Sequence, residues 1–317
     1  MNNYTIVDKI FHNFIFSNKF IQKSLYEFHR RLFKNADNFN QNHIFITGLP
    51  RSGSTVLLYF FYKTELFASL TYRDMPFVIS PRLNFFSKKN INKKERLHKD
   101  GLKFDLDTPE ALDNVFFRIF DEQEINLELE NYIGSILTKY KKKRYLSKNN
   151  NILEKLDLII DKLEKVIILV PFREPKNQSY SLYKQHLNFI ELHKKDKFSL
   201  KYMNDLGHFE FGNNHQSWFE PLSFSNPLDI NYWLEQWFIY YTYIFEKYKK
   251  NRNFLFISYE KFCDKVEYRN KILEYTSVPK EVKFDIKNNN LVNDQINLDL
   301  NLLNKCQNLY LKLNEFF

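Results

Sequence analysis

Cysteine is almost missing from this chain: Cys263 and Cys306 are the only two. Two cysteines build no disulfide framework, and neither sits in a CxxC or Cys/His cluster, so no structural zinc is expected. Their scarcity points to a reducing compartment, with the cytoplasm as the expected location. Glycine (6) and proline (9) are rare in 317 residues, which excludes collagen-like repeats and argues against disordered linkers. No uninterrupted apolar run approaches the roughly 20 residues that a membrane-spanning helix needs. The opening MNNYTIVDKIFHNFIF has no basic stretch ahead of an apolar core, so it does not read as a secretory signal. His186, His208 and His215 are scattered without metal-ligand spacing, and no metal site is expected.

Apolar residues make up 44% of the chain, with 33 Phe and 20 Tyr, enough for a large core. The formal net charge of +9 favours anionic partners such as phosphorylated nucleotides, nucleic acid, acidic glycans or anionic lipid. The same excess also fits a lysine-rich solvated surface, as in Lys141–Lys143 followed by Arg144 on an expected helix. Charge alone does not choose between them.

Ile6, Ile10, Phe11, Phe14, Ile21, Leu25, Phe28 and Leu32 recur at mostly helical spacing. They predict one or two amphipathic helices whose apolar stripe packs on the main domain, with peripheral membrane binding as the alternative. His43–Thr47, Ala68–Tyr72, Val166–Val170 and Phe254–Ser258 read as strands. Helical patterns cover Thr55 to about Glu65, 122–143, Leu153–Leu163, Lys176–Leu187 and Tyr232–Tyr248. Another helix is expected to start at Thr108 as N-cap with Pro109 at its first position, while 84–108 reads as polar and irregular. Strands alternating with helices predict a three-layer α/β/α fold with a mainly parallel central sheet and extra helices at both ends. No repeat or linker interrupts it. The expected organisation is one domain over 1–317, with an N-terminal helical extension (1–40), a core (43–275) and a C-terminal helical extension (276–317).

The passage from Ile44 to Leu58 is strand, glycine-containing turn, then helix. Such a helix start offers unpaired backbone N–H groups and the positive end of the helix dipole to an anion. Gly48 and Gly53 let the backbone approach a phosphate closely, and Ser52, Ser54 and Thr55 add hydroxyl donors. Against the triphosphatase pattern GxxxxGK(S/T), both glycines and Thr55 are in place, but Ser54 stands where the lysine belongs. The cation has moved to Arg51, inside the loop, where it suits a shorter 5′-phosphosulfate. Further on, Val166–Val170 leads into Pro171-Phe-Arg173-Glu-Pro, and Ser181 follows eight residues after Arg173. A cation at a strand end and a hydroxyl two helical turns onward can converge on one phosphate.

Gly48-Leu-Pro-Arg-Ser-Gly-Ser-Thr resembles the 5′-phosphosulfate loop of the sulfotransferases that use 3′-phosphoadenosine 5′-phosphosulfate (PAPS). The likeness is greatest to the branch holding the tyrosylprotein enzymes and many bacterial members, which carries Pro-Arg-Ser-Gly. In that family the second segment holds the 3′-phosphate through an Arg in an Arg-Asp-Pro-like turn and a Ser at this offset, which implies those roles for Arg173 and Ser181. The turn here is Arg-Glu-Pro, a mild departure. Tyr145-Leu-Ser-Lys148 resembles the family's Lys-Asp-Pro or Lys-Thr-Pro stretch, and Ser258-Tyr-Glu-Lys-Phe262 its Tyr-Glu-x-Leu segment. The likeness covers about 43–275 and implies a P-loop-like fold. No counterpart of the family's C-terminal nucleotide loop follows 280, so adenine stacking and the lid stay unassigned.

The resemblance implies sulfuryl transfer from PAPS to an acceptor oxygen, with Arg51 and Lys148 stabilising charge. For the general base Asp74 is favoured, just past an expected strand end, with His98 second and Glu110 third. A kinase or NTPase of the P-loop type would carry Lys at position 54 and an apolar strand ending in Asp, and a nucleic-acid binder would not need both anion motifs. Neither rival fits as well, and no nucleic-acid partner is expected. The acceptor can be a glycan, a peptide tyrosine or a lipid headgroup; carbohydrate is favoured from family breadth, and the oligomeric state is open.

Overall fold

The computed structural model describes residues 6–33, 41–84, 94–95, 103–279 and 297–317. Helices α1 (Ile6–Ile15) and α2 (Lys19–Leu32) precede β1 (His43–Ile46), α3 (Ser54–Tyr62) and β2 (Phe67–Ala68). A short antiparallel pair, β3 (Lys94–Glu95) and β4 (Lys103–Phe104), leads to α4 (Asn114–Ile119), α5 (Glu122–Tyr140), β5 (Arg144–Lys148) and α6 (Leu156–Lys162). Then follow β6 (Val166–Phe172), α7 (Pro175–Lys195), α8 (Lys197–Leu206), α9 (Ile230–Tyr248) and β7 (Phe254–Ser258). Helices α10 (Tyr259–Asp264), α11 (Val266–Tyr275) and α12 (Leu300–Glu315) complete the chain.

Five strands form one mainly parallel sheet in the order β2-β5-β1-β6-β7. β2 runs parallel to β5, with Phe67 opposite Arg144, and β6 parallel to β7, with Ile168 opposite Phe254. All seven residues of β6 are buried, which is why its sequence is a continuous apolar run and not an alternating one. The α/β class expected from the strand–helix alternation is the class observed.

Contacts divide the chain into two compact units: Met1–Phe45 with Leu58–Val166 and Asp205–Gly207, and Ile46–Leu57 with Ile167–Asn204 and His208–Phe317. In the first, α5 packs on α6, β5 and β2, and Phe116 stacks on Tyr132 with ring centroids 4.2 Å apart. In the second, α7 and α9 pack together and α12 lies on both. Trp233, Trp237, Tyr240 and Tyr241, all on α9, are fully buried there.

Three local expectations are corrected. No helix starts at Thr108: its hydroxyl donates to the Asp105 carboxylate at 2.7 Å, Pro109 bridges to Thr71, and the helix waits until Asn114. The basic run 141–144 is not a helix surface. Lys141 ends α5 in the left-handed region (φ 52), and Arg144 is a buried strand residue whose Nε donates to the Asn42 carbonyl at 2.7 Å. Burial pushes its guanidinium down to about 10.

The third correction concerns α1 and α2. The face they bury carries His12, Gln22, Tyr26 and His29, together with Ile15 and Phe16. His12 Nε2 lies 2.9 Å from Asp205, and the Tyr26 hydroxyl donates to Glu128 at 2.9 Å. Ile10, Phe14, Phe28 and Leu32, members of the stripe expected to pack, are exposed.

Candidate functional site

β1 hands the chain to the loop 48–53, and Ser54 begins α3. Two glycines fit this loop for separate steric reasons. A Cβ on Gly48 would lie 2.9 Å from the Pro171 carbonyl at the end of β6. Gly53 has φ +95, and a Cβ there would lie 2.3 Å from the Tyr259 ring. Arg51 also takes the left-handed region (φ 66), an unusual conformation for a residue with a side chain. It turns the guanidinium toward α7, where Arg51 Nε donates to Ser181 Oγ at 2.9 Å. Ser52 and Ser54 are buried, while Arg51, Gly53 and Thr55 are half-buried. The first turn of α3 has no acidic side chain to oppose an anion at its positive end.

The second motif meets the same loop. Arg173 is buried at the end of β6, its guanidinium 5.1 Å from the Tyr259 ring centroid and its Nε 3.9 Å from Glu260. Gln178, one turn before Ser181, ties loop and strand together. Its amide nitrogen donates to the Pro50 carbonyl at 3.1 Å, and its oxygen accepts from the Trp237 indole at 3.0 Å and from the Arg173 backbone at 3.2 Å. In a site shielded from water, losing that amide would leave several buried polar groups unmatched. Gln178, Tyr259 and Glu260 were not anticipated as parts of this site. The Tyr-Glu pair after β7 was a signal in the sequence, whereas an interior helix glutamine carries none.

Glu174, the departure from the family's Arg-Asp-Pro turn, has its own structural account. Its carboxylate caps α7, accepting from the Asn177 amide at 2.7 Å, and also accepts from Gln307 of α12 at 2.7 Å. Three residues along α12, Tyr310 donates to Glu260 at 3.1 Å, and Glu260 in turn accepts from the Glu174 amide at 3.0 Å. The C-terminal helix is thereby latched behind Arg173.

In the other unit, Lys148 is half-buried at the end of β5. Its neighbours on the opposite face of the strand are gathered by Asp113. That buried carboxylate accepts from Ser147 at 2.5 Å, Tyr145 at 3.1 Å and Asn149 at 3.3 Å. Burial pushes Asp113 up to about 6, with the Ser147, Tyr145 and Asn149 hydrogen bonds opposing the rise. β5 itself was not expected as a strand, because Arg-Tyr-Leu-Ser-Lys shows no clear apolar period.

Asp74 is the residue favoured in the sequence as general base. It is fully buried in a short 3-10 turn. Its oxygens accept from Lys139 Nζ at 2.5 Å, the Tyr140 hydroxyl at 2.6 Å and the Thr71 amide at 2.7 Å. A carboxylate engaged by an ammonium, a phenol and a backbone amide is a fastener between the turn and α5. Glu110 keeps a half-buried carboxylate, bonded by the Tyr72 hydroxyl at 2.8 Å and the Ala111 amide at 2.9 Å. His98 lies outside the described residues.

Of the scattered histidines, His186 and His215 pack together, while His208 lies 3.3 Å from Glu210. His186 and His215 have ring centroids 5.1 Å apart beside Trp233, and burial pushes His186 down to about 4. Among the described residues, no group of three or more His, Cys, Asp or Glu side chains is arranged to hold a metal ion.

Solved structures resembling this chain include three bacterial sulfotransferases. The enzyme from Mycobacterium avium is 12% identical, the match covering 97% of this chain and 78% of that one at a TM-score of 0.45. That from Mycobacterium tuberculosis is 11% identical over 87% and 78% at 0.48, and that from Alicyclobacillus acidocaldarius 12% over 87% and 94% at 0.41. No curated protein matches the chain in sequence. The sulfotransferase domain family matches residues 41–282, about three-quarters of the chain and both anion motifs within it. On that match, this chain belongs to the PAPS-dependent sulfotransferase family.

Proposed function

We propose that this chain transfers a sulfuryl group from PAPS to an acceptor hydroxyl through the residues assigned below. The observation that carries the assignment is the 2.9 Å bond from Arg51 Nε to Ser181 Oγ, joining groups 130 residues apart in sequence. One belongs to an anion loop at a helix N-terminus, the other to a helix starting just past a buried strand-end arginine. A ligand with phosphates at both the 5′ and 3′ positions of one ribose uses both groups. In this reading Arg51 and the backbone of Ser52, Gly53, Ser54 and Thr55 take the 5′-phosphosulfate, and Arg173 with Ser181 takes the 3′-phosphate. Gly48 and Gly53 let the loop lie close against Pro171 and Tyr259, where a Cβ would collide.

The bound donor supplies an already activated sulfuryl group, so the protein's task is to position, to neutralise charge and to accept a proton. Arg51 and Lys148 neutralise charge at the leaving phosphate, and Asp113 steadies the strand end that carries Lys148. Proton acceptance falls to Glu110 or His98, and Asp74 keeps its turn attached to α5. The reaction is placed in the cytoplasm, where the buried thiols Cys263 and Cys306 stay reduced. Carbohydrate is the acceptor class to assay first, with peptide tyrosine and lipid headgroups beside it.

Competition calorimetry with 3′-phosphoadenosine 5′-phosphate and AMP tests the donor assignment without knowing the acceptor. The bisphosphate is expected to bind far more tightly. Equal affinity for the two, or magnesium-dependent ATP hydrolysis, would refute it.

A further inference from the structure

The N-terminal helices lie ahead of the residues matched by the family domain, and they present to solvent the kind of face a surface helix normally buries. Phe20 is 78% exposed, Ile10 62% and Phe14 60%, with Phe28 and Leu32 each at 54%. At about 100° per residue, Phe20, Phe28 and Leu32 fall within a roughly 120° arc of α2, the width of an apolar stripe. Ile10 and Phe14, four apart, share one face of α1. Meanwhile the inward side is fastened by polar bonds: Lys23 to Glu124 at 2.7 Å, Arg30 to Glu128 at 2.6 Å, and the His12 and Tyr26 contacts already described. The stripe is therefore held outward by the way the helices attach.

Charge indicates what covers it. α2 carries Lys19, Lys23, Arg30 and Arg31 against a single acid of its own, Glu27; Lys23 and Arg30 are already bonded to Glu124 and Glu128, which leaves Lys19 and Arg31 for an outside partner. Arg31 is exposed within the arc of the stripe, about 20° from Phe20, Lys19 is exposed at the start of α2, and the whole chain is at +9. Phenylalanines flanked by lysine and arginine suit the boundary between acyl chains and anionic headgroups. None of the described helices is long and apolar enough to cross a membrane.

We propose that α1 and α2 dock this enzyme on an anionic lipid surface, with Phe14, Phe20 and Phe28 entering the headgroup layer, Arg31 meeting lipid phosphates and Lys19 adding positive charge at the start of α2.

Co-sedimentation of the full chain with vesicles tests this. The protein is expected to pellet with vesicles containing phosphatidylglycerol, to stay soluble with pure phosphatidylcholine, and to be released by raised salt. Phe20→Ser/Phe28→Ser should weaken vesicle binding at least tenfold, and Lys19→Glu/Arg31→Glu should do the same. Both variants should keep the wild-type melting temperature and nucleotide binding, since these side chains support nothing behind them. Failure of the wild type to pellet, equal binding to neutral vesicles, or unchanged binding by both variants would overturn the proposal. So would self-association that the same phenylalanine substitutions abolish, because a second copy would then be the occupant.

Discussion

Asp74→Asn separates a fastening carboxylate from a catalytic one. The substitution keeps the shape and removes the charge, so Lys139 loses its partner and one of the three close donors to Asp74 meets an amide N–H. Removing one member of a buried ion pair costs about 3–5 kcal/mol. Lys139 retains 20% exposure, which lets water relieve part of the loss and sets the expectation near the lower end, about 3 kcal/mol. With roughly 2–4 °C per kcal/mol in chains of this size class, the melting temperature should drop by about 6–12 °C. Lys139→Met should produce a drop of similar size, and the double variant should lose less than the sum of the two, as expected for direct partners. The assay is thermal unfolding by circular dichroism, with turnover of the folded variant measured well below its transition. A variant that melts like wild type while turning over about 10²–10⁴ times more slowly would refute this account and restore Asp74 as the base.

Arg51→Ala should weaken binding of 3′-phosphoadenosine 5′-phosphate by titration calorimetry with little change in melting temperature; a collapse in stability with no binding defect would assign the residue a structural role. Arg173→Ala should nearly erase the preference for that nucleotide over AMP, since a buried cation–phosphate contact is worth about 2–5 kcal/mol. Ser181→Ala should only reduce it, by about 1 kcal/mol. Gly53→Ala combines a positive φ with a clash against Tyr259, and should abolish nucleotide binding while Ser54→Ala does not. Asp113, raised in the fold to about 6 from 3.8, binds more protons folded than unfolded between those values, so its contribution to stability is full below about pH 4 and lost as pH rises through 6. Urea unfolding across that range should show a decline of about 3 kcal/mol that Asp113→Asn flattens.

What the amino-acid sequence determined alone was contiguous. The strand, glycine-containing turn and helix start from β1 to α3 are legible because all three lie within one short stretch. Arg173 and Ser181 are legible because one strand end and two helical turns fix their offset. The buried run of β6 and the amphipathic length of α9 announce themselves by period. Tertiary structure decided whatever depends on a distant partner. Asp74 reads as a strand-end carboxylate until Lys139 and Tyr140, more than 60 residues on, engage it. Gln178 is an unremarked helix residue until the Pro50 carbonyl and Trp237 arrive at its amide. Periodicity assigned α1 and α2 an apolar stripe but could not say which way it faces. That was settled by hydrogen bonds and ion pairs from Asp205, Glu124 and Glu128, which lie 98 or more residues away in sequence.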